Sequence, residues 1–215
     1  MLLRKIKLLC ITCPREDIFY EEQVTLACQG GADMIQLRDK KLPDMDLFNI
    51  SVNLQKICKK YNVYFTVNNR IDIADIAKSD GVHIGQNDLP PEYARKLIGD
   101  SKIIGLSAST YEQVIAASDK PVDYIGYGAV FATITKPESQ ERGLDVLSAI
   151  KKQNSVKAPI IAIGGIDKTN VADVIRAGAD GIAVVRAVCG AKDIKKEAED
   201  IKNIIFKTER EGRIQ

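Results

Sequence analysis

Cations, amides, hydroxyls and glycines recur in this chain where short apolar runs end. The richest case is Gly126-Tyr127-Gly128-Ala129-Val130-Phe131-Ala132-Thr133-Ile134-Thr135-Lys136-Pro137: an apolar run, a glycine-containing turn, hydroxyls at Thr133 and Thr135, then the Lys136 ammonium. Backbone amides, hydroxyls and a lysine at a strand end suit a polyanion such as pyrophosphate. In Gln36-Leu37-Arg38-Asp39-Lys40, alternation sends Gln36, Arg38 and Lys40 to one side. The Arg38 guanidinium can fork onto phosphate oxygens. Asn68-Asn69-Arg70 and Gly85-Gln86-Asn87-Asp88 bring amides and a carboxylate, the hard oxygen donors that Mg²⁺ takes. The competing reading makes them turns and helix N-caps, and Asp88 before Pro90-Pro91 fits a cap.

Two further run ends complete the inventory. In Gly105-Leu106-Ser107-Ala108-Ser109-Thr110, Ser107 can donate to a phosphate oxygen, while Ser109 or Thr110 caps the next helix with Glu112 or Gln113 in capping-box range. Ile163-Gly164-Gly165-Ile166 and Val184-Val185-Arg186-Ala187 offer the amides of Gly164, Gly165 and Arg186 to a phosphate monoester, a reading preferred here over glycines that only avoid a clash. Two anion pockets result, one rich in Arg, Lys and metal ligands, the other built from backbone amides. Acid–base groups are scarce. The single histidine, His83, lies in an apolar run and reads as a hydrogen-bonded core residue. Ser–His–Asp and Cys–His chemistry has little to work with. Neutralising the charge on a departing pyrophosphate with Mg²⁺, Arg and Lys suits this inventory better. A Schiff-base role for Lys136 lacks the apolar surroundings that would depress its pKa.

The elements that must position these groups follow from a repeated unit. Gly30-Gly31-Ala32-Asp33, Lys78-Ser79-Asp80-Gly81 and Ala177-Gly178-Ala179-Asp180-Gly181 each precede an apolar run. Glycine stops a helix and a buried strand follows. Eight runs are predicted as strands: Ile6–Ile11, Met34–Leu37, Val63–Val67, Gly81–Ile84, Ile103–Leu106, Tyr124–Tyr127, Ile160–Ile163 and Ile182–Val185. Leu47, Ile50, Leu54, Ile57 and Tyr61 mark one helix face, and Ile194, Ala198, Ile201 and Ile205 another. Pro90-Pro91 opens a helix that Gly99 closes. Strands apolar throughout are buried on both faces, as parallel strands are. Eight alternating units predict an α/β fold, a single-domain (β/α)₈ TIM barrel over residues 1–215, with a polar, frayed tail at 207–215. The active site is then expected at the strand C-terminal ends. A doubly wound sheet would carry a Gly-x-Gly-x-x-Gly turn after its first strand, and none is present.

The chain has 215 residues, 45% hydrophobic and 28% charged, with a net charge of +2 and no long basic run, so nucleic acid is not the expected partner. It shows no signal peptide and no bilayer-spanning stretch, which predicts a cytoplasmic protein with no membrane partner. A homo-oligomer stays open. The five cysteines lack framework spacing, and Cys10-x-x-Cys13 reads as packing, with neither a second ligand pair for zinc nor an evident helix N-terminus for redox work.

The segments Gln36–Lys40, Val67–Arg70, Gly81–Leu89, Gly105–Ser107, Thr133–Lys136, Ile163–Ile166 and Gly178–Gly181 together resemble the thiamine phosphate synthases, in order and across nearly the whole chain. Gly-Gly-Ile and Gly-Ala-Asp-Gly occur in many phosphate-binding barrels. The Gln-x-Arg-x-Lys, His-x-Gly-Gln-x-Asp and Thr-x-Thr-Lys pieces are the specific ones. The resemblance implies a transferase that joins hydroxymethylpyrimidine diphosphate to hydroxyethylthiazole phosphate, giving thiamine phosphate and pyrophosphate. It implies that Gln36, Arg38, Lys40, Asn68, Ser107 and Lys136 hold the diphosphate, with Arg38, Lys40, Ser107 and Lys136 serving catalysis. Asp88, with Asn69, would bind Mg²⁺. Thr133, Thr135 and Lys136 would line the meeting point, and Gly165 with the amides near Val185 and Arg186 would hold the thiazole's phosphate. Two positions depart from the pattern: Asn69 stands where the family has a metal-binding Asp, and Arg186 where it has a small residue. A thiazole tautomerase and a non-catalytic thiazole phosphate-binding barrel are the alternatives. Retention of the diphosphate-side residues favours the synthase.

Overall fold

The computed structural model describes residues 6–135, 140–153 and 156–212. Strands and helices alternate: β1 Leu8–Ile11, α1 Tyr20–Gln29, β2 Met34–Leu37, α2 Asp44–Tyr61, β3 Tyr64–Asn68, α3 Ile71–Ile76, β4 Gly81–Ile84, α4 Pro91–Ile98, β5 Ile103–Ala108, α5 Tyr111–Ser118, β6 Tyr124–Tyr127, α6 Gly143–Lys152, β7 Ile160–Ile163, α7 Val171–Arg176, β8 Gly181–Val184 and α8 Ile194–Gly212. The eight parallel strands close into a barrel in chain order, with β8 pairing β1. This is the (β/α)₈ TIM barrel expected from the sequence.

Period-two alternation divides the core in two. Leu9, Ile11, Met34, Tyr64, Ile103, Tyr124, Ile161 and Ala183 pack inside the barrel. Leu8, Cys10, Ile35, Phe65, Val82, Ile104, Ile125 and Ile182 face outward into the larger cluster shared with the helices. On α2 the fully buried residues are Leu47, Ser51, Leu54 and Cys58, so Ile50, Ile57 and Tyr61 sit at the edges of the expected face. Ser51 is tolerated there because its Oγ donates to the Leu47 carbonyl at 2.6 Å. The buried residues of α8 include all four expected ones. One expectation and one competing reading need correction. Of the tail expected to fray, residues 207–212 are helical, because Thr208 is buried and Glu209 pairs with Lys7, and residues 213–215 lie outside the described residues. Asp88 caps no helix: α4 begins after Pro90 without a side-chain cap, and Asp88 turns back to accept from the Gly85 amide at 2.6 Å. The Thr110 cap is as expected, its Oγ accepting from the Gln113 amide while Gln113 accepts from the Ser109 amide.

The repeated aspartate closes the N-terminal end of the barrel. Asp33, Asp80, Asp123 and Asp180 each precede an even-numbered strand, and the Oδ2 of each accepts from an amide at the start of the odd-numbered strand before it: Leu8, Phe65, Ile104 and Ile160, at 2.7–2.9 Å. Lys202, Arg95 and Lys151 pair with Asp33, Asp123 and Asp180. Gly81 and Gly181 follow two of these aspartates because a Cβ there would lie 2.1 Å from the carbonyls of Ile103 and Ile6. All five cysteines are free thiols. Burial pushes the Cys10 and Cys13 thiols up from their ordinary value, so neither is an activated thiolate.

Candidate active site

A cavity of about 650 Å³ is lined mostly by residues at and beyond the C-terminal ends of the strands, and it reaches down to Leu9, Tyr124 and Ile161 inside the barrel. Gln36, Arg38 and Lys40 line it together, as alternation beyond β2 requires. Gln36 is buried, and the Arg38 amide donates to Thr12 Oγ1 at 3.0 Å, which fixes the chain where it leaves the strand. Asp39, pointing the other way, accepts from the Tyr20 hydroxyl and the Lys41 amide. Arg38, Lys40 and Arg186 form no ion pair with any described residue. Unneutralised cations around a concave site favour an anionic ligand.

Asn68, Asn69, Ser107, Thr133, Thr135, Gly165, Val185 and Arg186 line the same cavity. Lys136 lies outside the described residues. Asn69 takes a left-handed conformation, φ 64°, which asparagine tolerates better than most residues. Its side chain accepts from Asn68 Nδ2 and donates to Asp88 Oδ2. Asp88 stands behind the lining, tied to the cavity through Asn69 and Gly85. Among the described residues no group of three or more His, Cys, Asp or Glu could form an all-protein metal cage. The Asp88 carboxylate is a hard donor, and Asn69 beside it turns its amide nitrogen to Asp88 and its oxygen to Asn68, so a half-turn of the Asn69 amide would bring a second hard oxygen to the same place. That sparse set matches how Mg²⁺ is commonly held, by one or two protein oxygens with waters and substrate phosphates completing the shell.

After β7, Gly164 and Gly165 have φ of 106° and 61°, and a Cβ would lie 2.6 Å from Ala129 and 2.5 Å from the Ala132 carbonyl. Both are therefore needed for backbone conformation and for close approach of the β6 loop, whatever their amides bind. After β8 the backbone turns at once: the Cys189 amide donates to the Val185 carbonyl at 2.9 Å, with Val185, Arg186 and Ala187 at the cavity wall.

Sequence reasoning placed His83 in the core and missed Tyr124 altogether as a site residue. Both line the cavity. His83 Nδ1 lies 2.9 Å from the Tyr124 hydroxyl and Nε2 lies 2.8 Å from Ser107 Oγ, so the histidine is hydrogen-bonded as expected but reaches the site. Burial pulls its pKa down to about 4 despite the opposing charge of Asp88, and the ring is neutral at pH 7. Tyr124 could have been found from its alternation with Gly126, since a residue two before a cavity-facing glycine shares its side of the sheet.

Comparison with known proteins adds an independent line. A family model described as thiamine monophosphate synthase matches residues 8–188. The thiamine-phosphate synthase of Persephonella marina is 45% identical over 179 residues, covering 83% of this chain and 85% of that protein. That of Ruminiclostridium cellulolyticum is 42% identical over 184 residues, covering 86% and 87%. The solved thiamine phosphate pyrophosphorylase from Pyrococcus furiosus superposes with a TM-score of 0.88 at 38% identity, covering 97% of this chain and 99% of that one.

Proposed function

The chain belongs to the thiamine monophosphate synthase family and is a transferase; from that premise we propose that its cavity seats hydroxymethylpyrimidine diphosphate beside hydroxyethylthiazole phosphate. The observation that carries this reading is the pairing, in one cavity, of uncompensated cations beyond β2 with the glycine turn beyond β7. A volume near 650 Å³ suits small-molecule ligands.

Arg38 and Lys40 hold the diphosphate, with Gln36, Asn68 and Ser107 as hydrogen-bonding partners and Lys136 as a further cation. The amides of Gly165, Val185 and Arg186 hold the phosphate of the thiazole. Thr133 and Thr135 line the meeting point. The carbon–oxygen bond to the diphosphate breaks with its electron pair leaving on pyrophosphate, and the thiazole nitrogen closes the new carbon–nitrogen bond. Arg38 and Lys40 supply positive charge where negative charge develops, which lowers the barrier to departure. Asp88 and Asn69 would hold Mg²⁺, which adds charge neutralisation to the same oxygens when bound. His83, neutral and hydrogen-bonded on both nitrogens, takes no proton from substrate. Charged substrates that do not cross bilayers support a cytoplasmic location.

Incubation with both precursors and Mg²⁺ yields thiamine phosphate and pyrophosphate. Isomerisation of the thiazole phosphate alone, or binding without conversion, overturns the reading. Arg38→Ala is expected to lower kcat about 100-fold or more while the dissociation constant for hydroxyethylthiazole phosphate, measured by calorimetry, changes less than about threefold. Equal loss of both refutes separate anion subsites.

A further inference from the structure

We propose that Tyr124 and His83 form a positioning pair that fixes the Ser107 hydroxyl as a hydrogen-bond donor into the cavity; the catalytic use of that donor rests on the synthase reading above. A neutral imidazole offers one lone pair and one N–H. Two hydroxyls flank the His83 ring, Tyr124 at Nδ1 and Ser107 at Nε2, at 2.9 and 2.8 Å. They compete for a single lone pair, and both cannot donate. A phenol is a stronger acid than an alkyl hydroxyl, and burial raises the Tyr124 hydroxyl without reversing that order, so Tyr124 donates to Nδ1. Nε2 then carries the hydrogen and gives it to Ser107 Oγ. The Ser107 hydrogen is left to face the cavity that the residue lines.

The surroundings of Tyr124 agree with this direction. Burial pushes the Tyr124 hydroxyl well above its ordinary value, against the smaller opposing influence of the Gln36 and Thr66 side chains, so the phenol keeps its hydrogen. The Thr66 hydroxyl beside it donates to the Ile35 carbonyl at 3.2 Å. Imidazole nitrogen is a much better acceptor than a threonine hydroxyl, so the Tyr124 hydrogen goes to His83. The barrel makes room for the pair on β4 and β6, across the intervening β5. A Cβ on Gly105 would lie 2.1 Å from Tyr124 Cζ, and one on Gly126 would lie 3.0 Å from His83 Cε1. Gly105 pairs with both His83 and Tyr124 in the ladder, and Gly126 pairs with Ser107. The two rings stack with centroids 5.5 Å apart and planes 28° apart. A hydroxyl whose hydrogen is committed to the cavity is preorganised toward a substrate acceptor whose negative charge grows as the carbon–oxygen bond breaks.

The single histidine makes the test direct. Long-range ¹H–¹⁵N spectra of the full chain labelled with ¹⁵N-histidine report one imidazole. The expected result at neutral pH is the Nε2–H tautomer with a bare Nδ1. An Nδ1–H tautomer, or a tautomer mixture, overturns the proposal. This readout needs no substrate, so it stands or falls separately from the coupling reaction. In the coupling assay Tyr124→Phe is expected to lower kcat about tenfold with both KM values within about twofold. Its imidazole signal is expected to move to a tautomer mixture. The Tyr124→Phe, Ser107→Ala double variant is expected to be no slower than Ser107→Ala alone. A Tyr124→Phe loss that persists in full on the Ser107→Ala background means that Tyr124 does not act through Ser107, and the proposal fails.

Discussion

Asn69 carries the sharpest consequence for a single side chain. Its amide nitrogen faces Asp88 and its oxygen faces Asn68. Asn69→Asp replaces a neutral donor with a second carboxylate, and the Mg²⁺ concentration for half-maximal turnover is expected to fall several-fold. An unchanged metal titration refutes the ligand assignment. His83 carries a second. The unfolded chain takes up a proton near pH 6.5, whereas the folded chain resists until about pH 4 because the ring is buried. Its contribution is therefore present above pH 6.5 and is lost as pH falls toward 4, up to about 3 kcal/mol in total. Denaturant midpoints at pH 7, 5.5 and 4.5 check this: the fall is expected to be shallower in His83→Gln than in the parent. Arg38 and Lys40 were legible as site residues because alternation past a strand end is a local signal. His83 was not, because a polar tip on an apolar strand faces either core or cavity, and only barrel closure decides which; Tyr124 had only its alternation with Gly126 to mark it.

Single elements are governed by the junctions between them. Asp180 Oδ2 accepts from the Ile160 amide at 2.8 Å and pairs with Lys151 at 2.9 Å. Asp180→Ala leaves that strand-start amide without its partner and is expected to cost about 1–3 kcal/mol in chemical denaturation, with kcat unchanged within about twofold. A loss of kcat at full occupancy of the folded state contradicts the separation of the two barrel ends. The sequence disclosed three of these four carboxylates through their glycine neighbours. Asp123 escaped notice because Pro121-Val122-Asp123 lacks the glycine and alanine of the other turns. β2, β4, β6 and β7 match their predicted runs to the residue, since short apolar runs bounded by turns leave little freedom. β1 and β8 shifted because a strand ends where its ladder ends, and Ile6 and Val185 lie beyond the paired residues. The Asp88 cap failed because a free amide at Gly85 lay within reach of the same carboxylate.

Across the whole molecule, chemistry and scaffold occupy different ends of one barrel, the usual division in this architecture. Eight runs and a recurring turn made the barrel readable in advance, and the strand ends named most of the cavity's lining; what no local rule supplied was how deep the cavity reaches between the strands. The four carboxylate clamps tie the strands in couples, β1 to β2, β3 to β4, β5 to β6 and β7 to β8. The side-chain clamps thus repeat by quarters, although the Asp33 and Asp80 carbonyls also accept from Tyr64 and Ile103 of the next couple. Severing the polypeptide after Gly99 keeps every couple intact within one fragment, and the two co-expressed pieces are expected to reassemble into an active heterodimer. Severing it after Lys78 divides the β3–β4 couple, and complementation is expected to fail or to fall about tenfold.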